Sequence, residues 1–252
     1  MTARILIIAG SDSGGGAGIQ ADIKTVTMLG GHAMTAITAI TAQNTLGVTG
    51  VHPISADMVI AQIEAVASDI GIDAIKIGMI GSAQTAQRVA DYIEQIGAPI
   101  VFDPVMVATS GAALADTQTI TAFDRLMTLA TLTTPNLPEL EALGGEATAV
   151  QRAGQLLIKG GHAEGDLLID RLIDTHGEVM RWEEARIDTR HTHGTGCTLA
   201  SAIATGLGQG LPLVESIGRA RQFVRAALIA APGLGGGHGP MGHQAVRDLP
   251  QC

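Results

Sequence analysis

The fold class is decided by the stretch Arg4-Ile5-Leu6-Ile7-Ile8-Ala9-Gly10-Ser11-Asp12-Ser13-Gly14-Gly15-Gly16-Ala17-Gly18. Its aliphatic run, residues 5–8, is typical of a strand that is buried on both faces of a parallel sheet. The small residues that follow indicate a loop at the end of that strand. The helix predicted next would bury one face formed by Ile19, Ile23, Val26 and Leu29. Strand, glycine-rich loop and helix together form the first unit of an α/β fold.

The same alternation of strands and helices continues along the chain. Further strands are predicted at Met34–Thr41, Val48–His52, Ala74–Met79, Pro99–Phe102, Leu132–Thr134 and Leu156–Lys159. Helices are predicted to begin after Ser55, Ser82 and Asp116, at residues 193–197 and after Pro212, and residues 166–187 read as an antiparallel hairpin. We therefore expect a single domain over residues 1–252, with a largely parallel sheet covered by helices on both faces. Ligands of such folds bind at the carboxyl ends of the strands.

Composition excludes several classes of protein. Hydrophobic residues make up 46% of the 252 residues, which excludes an intrinsically disordered chain. With 15 Lys and Arg against 24 Asp and Glu, the net charge of −9 argues against a nucleic-acid or anionic-membrane partner. The two cysteines, Cys197 and Cys252, form no CxxC motif, so a cytoplasmic protein without a disulfide framework is expected. The first residues read as a strand rather than a signal peptide, and no apolar run reaches the length of a membrane span.

The segment His193-Gly194-Thr195-Gly196-Cys197-Thr198 carries the strongest chemical signal. Small residues at the start of a helix let backbone amides converge on an anion, and the helix dipole adds positive potential. For the same reason we expect the pKa of the Cys197 thiol to be lowered. The alternative is a glycine-rich turn with a buried structural cysteine.

The first glycine cluster, Gly10–Gly18, fits neither common nucleotide motif. Gly14 and Gly16 are followed by Ile19 where a dinucleotide fingerprint needs its third glycine, and no G-x-x-x-x-G-K-[ST] occurs. This argues against a dinucleotide-dependent oxidoreductase. A flexible turn and a substrate-covering loop both remain open for this segment.

Polar residues also stand at the ends of other predicted strands. Lys159 could reach a phosphate or merely solvate a strand end. Asn136 with Glu139 suits either a hydrated Mg²⁺ or a helix start, and Asp103 suits a turn or a metal and phosphate network. The Gln43 amide offers a donor beside an acceptor, which fits the edge of an aminopyrimidine. The histidines show no ligand spacing typical of a transition-metal site.

Taken together, seven motifs resemble one family over nearly the whole chain. They are residues 9–22, Thr41-Ala42-Gln43-Asn44-Thr45, Lys76-Ile77-Gly78-Met79, Asp103-Pro104-Val105-Met106, Thr134-Pro135-Asn136-Leu137-Pro138-Glu139, Lys159-Gly160-Gly161-His162 and His193-Gly194-Thr195-Gly196-Cys197-Thr198. The chain resembles the hydroxymethylpyrimidine/phosphomethylpyrimidine kinases of the ribokinase-like superfamily. The resemblance implies a three-layer αβα fold with a small antiparallel hairpin.

The resemblance also implies an activity and assigns residues to it. In thiamine biosynthesis, such kinases use ATP and Mg²⁺ to phosphorylate 4-amino-5-hydroxymethyl-2-methylpyrimidine and then its monophosphate. The implied roles are catalysis for Lys159, Gly194, Thr195, Gly196 and Cys197, with Cys197 as base; substrate binding for Gly10, Asp22, Gln43, Met79 and Val105; ATP binding for Asn136, Lys159, Gly161, Thr195 and Gly196; and Mg²⁺ binding for Asp103 and Glu139. A cytoplasmic homodimer with a small-molecule substrate is expected.

Two alternative functions remain open, and one segment of the chain differs from what the family leads us to expect. A pyridoxine or pyridoxal kinase of the same superfamily would also phosphorylate a ring that bears a hydroxymethyl group. A non-catalytic small-molecule-binding protein is the alternative from a different class. The segment between Glu141 and Leu156 is shorter than the family leads us to expect, so we predict only a turn or two of helix around Thr148–Ala153. That departure puts the selectivity for the nucleotide base in question.

Overall fold

The structure is a computed structural model that describes residues 1–107, 111, 114–162 and 165–247. Its strands are β1 (Arg4–Asp12), β2 (His32–Asn44), β3 (Gly47–Pro53), β4 (Ala74–Ile77), β5 (Ile100–Phe102), β6 (Leu132–Thr133), β7 (Gln155–Ile158), β8 (Leu167–Asp174) and β9 (Gly177–Ala185). Its α-helices are α1 (Gly18–Met28), α2 (Ala56–Asp69), α3 (Ala83–Ile93), α4 (Thr117–Leu129), α5 (Leu137–Ala142), α6 (Glu146–Ala153), α7 (Thr195–Gly208) and α8 (Leu213–Ile229). Short 3₁₀ turns occupy Gly160–His162 and His243–Ala245. Cys252 lies outside the described residues.

The described strands form one sheet in the order β3-β2-β1-β4-β5-β6-β7-β8-β9. The strands from β2 to β7 in this order pair in parallel. β3 joins one edge antiparallel to β2, and the β8–β9 hairpin joins the other edge antiparallel to β7. The predicted largely parallel sheet with a small antiparallel part is therefore confirmed.

Helices cover both faces of the sheet because alternate residues of each strand point to opposite sides. In β1, Leu6 and Ile8 pack with residues of α2 to α6, whereas Ile5 and Ile7 pack with residues of α1, α7 and α8. All four of these side chains are fully buried. This gives the three-layer αβα arrangement, with an aliphatic core on each side of the sheet.

The helix starts predicted from single capping residues are confirmed. Ser55, Ser82 and Asp116 each accept a hydrogen bond from a backbone amide in the first turn of α2, α3 and α4. One detail of α1 differs, because its buried face contains Asp22 and leaves Ile23 38% exposed. The short helix predicted around Thr148–Ala153 is α6, with only eight residues.

The parallel strands bring the polar segments of the sequence to one edge of the sheet. The loops after β1, β4, β5, β6 and β7 all leave the carboxyl ends of these strands. The start of α7 lies at the same edge, because Gly194 packs against the backbone of Gly16 in the loop after β1. Among the helices of the described residues, none has both the length and the apolar character needed to cross a membrane.

Candidate active site

A cavity of about 770 Å³ lies at the carboxyl ends of the parallel strands. The predicted site residues that border it are Gly10, Gln43, Met79, Asp103, Val105, Asn136, Glu139, Lys159, Gly161, Gly194, Thr195, Gly196 and Cys197. The fold therefore brings the predicted catalytic, substrate, nucleotide and metal residues to one place. A volume of this size accommodates a drug-sized ligand.

Asp22 is the exception, because the structure does not place it at the cavity, and its role in substrate binding stays a prediction. Its side chain is completely buried, with Oδ2 accepting from Lys76 Nζ at 2.8 Å and Oδ1 accepting from Ser201 Oγ at 2.7 Å. Both oxygens are therefore engaged inside the protein, and Asp22 serves as the counter-ion of Lys76. Lys76 itself borders the cavity and is also fully buried.

The start of α7 brings several backbone amides to the border of the cavity. Gly194 caps this helix with φ of 88°, a left-handed conformation that glycine adopts without strain. Among the described residues, none provides an acceptor for the backbone amides of Gly194, Gly196 or Cys197. Unpaired amides at a helix N-terminus, together with the helix dipole, are a common binding site for phosphate. A Cβ on Gly196 would meet Asp103 Oδ2 at 3.4 Å and Lys159 Nζ at 3.5 Å, so this turn lies directly beside the charged residues.

The two glycine-rich loops pack against each other at backbone distance. A Cβ on Gly194 would lie 2.0 Å from the carbonyl oxygen of Gly16, and a Cβ on Gly16 would lie 2.5 Å from Cδ2 of His193. A side chain at either position would push the loops apart. The loop after β1 is therefore a wall of the cavity rather than a free turn.

Asp12 holds the first loop in this shape. Its Oδ1 accepts from the amide of Gly14 at 2.8 Å, and its Oδ2 accepts from the amides of Gly16 and Ala17 at 2.9 and 2.8 Å. Oδ2 also lies 2.9 Å from His193 Nε2, which ties the loop to the segment before α7. Burial acts to raise the pKa of Asp12, but the hydrogen bonds from His193 and the backbone amides outweigh it and lower this pKa. Asp12 is therefore ionised at neutral pH.

The thiol of Cys197 contradicts the prediction of a lowered pKa. Burial raises its pKa to about 11, even though the Lys76 ammonium and the Gly18 amide act in the opposite direction. The carboxylates of Asp22 and Asp103 add to the rise. The helix N-terminus was the only influence visible in the sequence, and desolvation with two nearby anions outweighs it.

Lys159 lies between two carboxylates at the end of β7. Its Nζ is 2.7 Å from Asp103 Oδ1 and 3.9 Å from Glu139 Oε2. Burial would lower the pKa of Lys159, but Asp103 and Glu139 hold it above the usual range. Burial raises the pKa of Glu139 to about 7, opposed by Lys159 and reinforced by Asp103. The cluster thus has two acidic groups for one cation and can accept further positive charge.

The residues Asn136 and Glu139 also begin α5. Asn136 Oδ1 accepts from the backbone N–H of Glu139, and Glu139 Oε2 accepts from the backbone N–H of Asn136, each at 2.9 Å. These two hydrogen bonds form a complete capping box. Asn136 and Glu139 therefore do begin a helix. This structural role does not exclude binding of a metal ion, because both residues also border the cavity. The oxygen donors Asp103 and Glu139 fit Mg²⁺, which binds few carboxylates and keeps waters. Among the described residues, no cluster of three or more His, Cys, Asp or Glu suited to a metal ion is present.

Gln43 lies on β2, which is separated by β1 and β4 from the strands β5, β6 and β7 that precede Asp103, Glu139 and Lys159. Its terminal amide is placed with Oε1 3.2 Å from Thr41 Oγ1 and with Nε2 3.2 Å from His193 Nε2. Gly10 contacts Met79 so closely that a Cβ would lie 3.0 Å from the Met79 sulphur. The polar Gln43 amide and the apolar Met79 and Val105 border the same cavity, and this combination suits a small ring with one polar edge.

The β8–β9 hairpin and α8 supply cavity residues that the sequence analysis missed. Asp170 Oδ1 accepts from the amide of Gly160 at 2.9 Å, and its Oδ2 accepts from Arg221 Nε at 2.8 Å. Arg186 donates to the carbonyl oxygens of Gly161 and Gly165. These contacts hold the loop after Lys159, and their long sequence separation explains why no local pattern revealed them.

Comparison with known proteins identifies the family. The family model described as phosphomethylpyrimidine kinase matches residues 12–242. The chain belongs to the phosphomethylpyrimidine kinase family. The resemblance inferred from the seven motifs is thereby confirmed, and the chain is a phosphotransferase of this family.

Relatives and solved structures agree with this assignment. A hydroxymethylpyrimidine/phosphomethylpyrimidine kinase of Rhizobium meliloti (strain 1021) is 46% identical over 96% of this chain and 97% of its own length. The thiamine biosynthesis bifunctional protein ThiED of Geobacter sulfurreducens is 46% identical over 97% of this chain, which spans 54% of that longer protein. Among solved structures, an ADP complex of Bacillus subtilis pyridoxal kinase superposes with a TM-score of 0.89 at 32% identity, covering 98% of this chain and 99% of the other.

The buried ion pair of this family member can be tested by unfolding. Lys76→Met leaves the Asp22 carboxylate buried without its partner, and we expect a loss of about 3–5 kcal/mol in the free energy of unfolding. Lys76→Met combined with Asp22→Asn removes both charges and keeps a partner for Ser201, so most of that loss should be recovered. Urea denaturation measures both values.

The matched control is Arg88→Met, because Arg88 forms an exposed ion pair with Asp57. That substitution should cost less than about 1 kcal/mol. A double variant as unstable as Lys76→Met alone would contradict the pairing.

The protonation of Cys197 can be tested by alkylation. With Cys252 replaced by serine, the rate of carboxamidomethylation of Cys197 by iodoacetamide should rise about tenfold per pH unit from pH 7 to pH 10, without a plateau, because only the thiolate reacts. The raised pKa of about 11 places the midpoint above that range. A plateau at or below pH 8, measured by mass spectrometry, would show instead that the helix start lowers the pKa.

Proposed function

We propose that this protein transfers the γ-phosphoryl group of ATP to the hydroxymethyl group of 4-amino-5-hydroxymethyl-2-methylpyrimidine, and then transfers a second one to the monophosphate. One observation carries the proposal. The backbone amides of Gly194, Gly196 and Cys197, which have no acceptor among the described residues, border the same cavity as Gln43 and Lys159. A ring held at Gln43 and a triphosphate held at Lys159 would meet at the start of α7. The relatives' names support the same substrate and a place in thiamine biosynthesis.

In the first transfer, the substrate oxygen forms a bond to the γ-phosphorus as the bond from that phosphorus to the bridging oxygen of ADP breaks. Phosphoryl transfer depends mainly on positioning and on stabilising the charge of the transferring group. The amides of Gly194 and Gly196 supply fixed donors for that charge, and Lys159 supplies a cation beside them. Thr195 and Gly161 border the same space and complete its wall.

The hydroxyl proton is taken up by Cys197 in its thiolate form. The buried Lys76 ammonium favours this form, although burial keeps the thiol protonated at rest. Only the fraction of the enzyme that carries the thiolate then accepts the proton, and that fraction grows as the pH rises towards the thiol pKa of about 11. In the second transfer the acceptor is already a phosphate, and a base should matter less.

Asp103 and Glu139 would hold Mg²⁺ beside Lys159, with Asn136 lining the same end of the cavity. When bound, Mg²⁺ neutralises charge on the phosphates. Two carboxylates paired with one lysine leave net negative charge for the cation. The homodimer, the cytoplasmic location and the single domain over residues 1–252 stay predictions.

A pyridoxal kinase is the second candidate, favoured by the close superposition with the Bacillus subtilis enzyme. The Gln43 amide favours the aminopyrimidine, because it offers a donor and an acceptor to one edge of a ring. A non-catalytic binding protein is disfavoured, since the amides, Cys197 and Lys159 are all in place. ADP release should be assayed with the aminopyrimidine alcohol, its monophosphate and pyridoxine, each with and without Mg²⁺. Turnover of pyridoxine alone would overturn the proposal.

Cys197→Ala separates the two steps. We expect a loss of about a hundredfold in kcat for the first phosphorylation, within the range known for general bases, and a much smaller loss for the second. The wild-type first step should also become faster as the pH rises above neutral, and the variant should lose that rise. The two reactions are followed separately by chromatography of the products, and equal losses in both steps would rule out a base role for Cys197.

A further inference from the structure

Hydrogen-bond chemistry around Gln43 restricts the direction of its terminal amide. The amide lies between Thr41 Oγ1 and His193 Nε2, at 3.2 Å from each. Nitrogen and oxygen of an amide have the same shape, so only the neighbours determine which atom faces which side. Thr41 and His193 each form another hydrogen bond, and that bond determines whether the group donates to Gln43 or accepts from it.

His193 Nε2 is a donor. It lies 2.9 Å from Asp12 Oδ2, and an ionised carboxylate can only accept. The hydrogen on Nε2 is therefore directed towards Asp12 and shared with any acceptor beside it. An amide NH₂ group 3.2 Å from the same Nε2 would set two donors against each other, whereas the amide oxygen can accept there.

Thr41 gives the same answer independently. Its hydroxyl lies 2.9 Å from the carbonyl oxygen of Ser11, which can only accept. Because a hydroxyl has one hydrogen, Thr41 Oγ1 must use it for Ser11 and can only accept from Gln43. The amide atom beside Thr41 is then the nitrogen, so the two atoms exchange the positions in which Oε1 lies beside Thr41 and Nε2 beside His193.

We propose that His193, held by Asp12, fixes the Gln43 amide with its oxygen towards the imidazole and its nitrogen towards Thr41, and that this direction selects the aminopyrimidine ring. One N–H and one oxygen lone pair remain for a ligand in the cavity, in a fixed order along the edge. A ring nitrogen beside an exocyclic amino group matches that order in one orientation only. His193 is thus a positioning residue that acts through Gln43. This inference rests on the proposed function for its substrate.

The test compares two substrates in four proteins. The substrates are the aminopyrimidine alcohol and (2-methylpyrimidin-5-yl)methanol, which lacks the amino group. In Gln43→Leu the preference for the amino compound, as a ratio of kcat/KM values, should fall by about tenfold, the factor for one ordinary hydrogen bond. His193→Leu should lose a similar factor, and the double variant should lose no more than either single one. The KM for ATP should not change.

Two further variants separate positioning from general support of the fold. His193→Gln restores an N–H donor and should regain the preference. His191→Leu changes the neighbouring histidine and should leave the preference intact. If His193→Leu lowers kcat/KM equally for both compounds and leaves the preference unchanged, His193 does not act through Gln43 and the proposal is overturned.

A spectroscopic measurement tests the direction of the Gln43 amide without any substrate. If the wild-type protein phosphorylates neither compound, the proposed function fails, but this measurement still tests the amide direction. In the ligand-free protein, the side-chain amide protons of Gln43 should show nuclear Overhauser effects to the Thr41 methyl group. Effects to the ring protons of His193 in their place would overturn the assigned direction, whatever the substrate.

Discussion

The architecture of the site depends on the buried carboxylate of Asp12. It accepts hydrogen bonds from backbone amides of the loop after β1 and from the His193 imidazole of the segment before α7. Two distant parts of the chain are therefore joined at one side chain. The backbone contact of Gly16 with Gly194 is possible only because neither position has a side chain. Removing Asp12 would leave these loops without a common partner, and a Cβ at either glycine would separate them. This contact forms the wall of the cavity between Gln43 and the start of α7.

Charge in the site is arranged in two separate groups, one ion pair and one cluster of three residues, with different surroundings. Lys76 and Asp22 are completely buried behind Cys197, where the ion pair places a permanent ammonium near the thiol. Lys159 lies at the cavity with Asp103 and Glu139, and there the excess of carboxylate can be balanced by a further cation. The Lys76–Asp22 pair affects the pKa of the thiol, and the cluster of Lys159, Asp103 and Glu139 lies at the cavity. An overall acidic protein can therefore bind a polyphosphate, because a few fixed amides and two lysines determine the local potential.

Much of the fold and the site was predictable from local sequence. The aliphatic strands, the capping residues Ser55, Ser82 and Asp116 and the segment from His193 to Thr198 follow rules of short range. The position of Asp22 away from the cavity could not be predicted, because it depends on a pairing with Lys76, which is 54 residues away in the chain. A lysine between Ile75 and Ile77 in a buried strand was a usable signal, since a buried cation needs a carboxylate. The thiol pKa was wrong because desolvation by the whole fold cannot be read from the start of one helix.

The account depends most on the amides at the start of α7 as the place where the transferring phosphoryl group is held. We would measure the ¹H–¹⁵N resonances of Gly194 and Gly196 on addition of ADP, Mg²⁺, the aminopyrimidine alcohol and aluminium fluoride, which together mimic the transferring phosphoryl group. Charge-assisted hydrogen bonds to that group should move both amide protons strongly downfield and protect them from exchange with solvent. Unchanged resonances at these two glycines, with the large shifts confined to the loop after β1, would contradict the account.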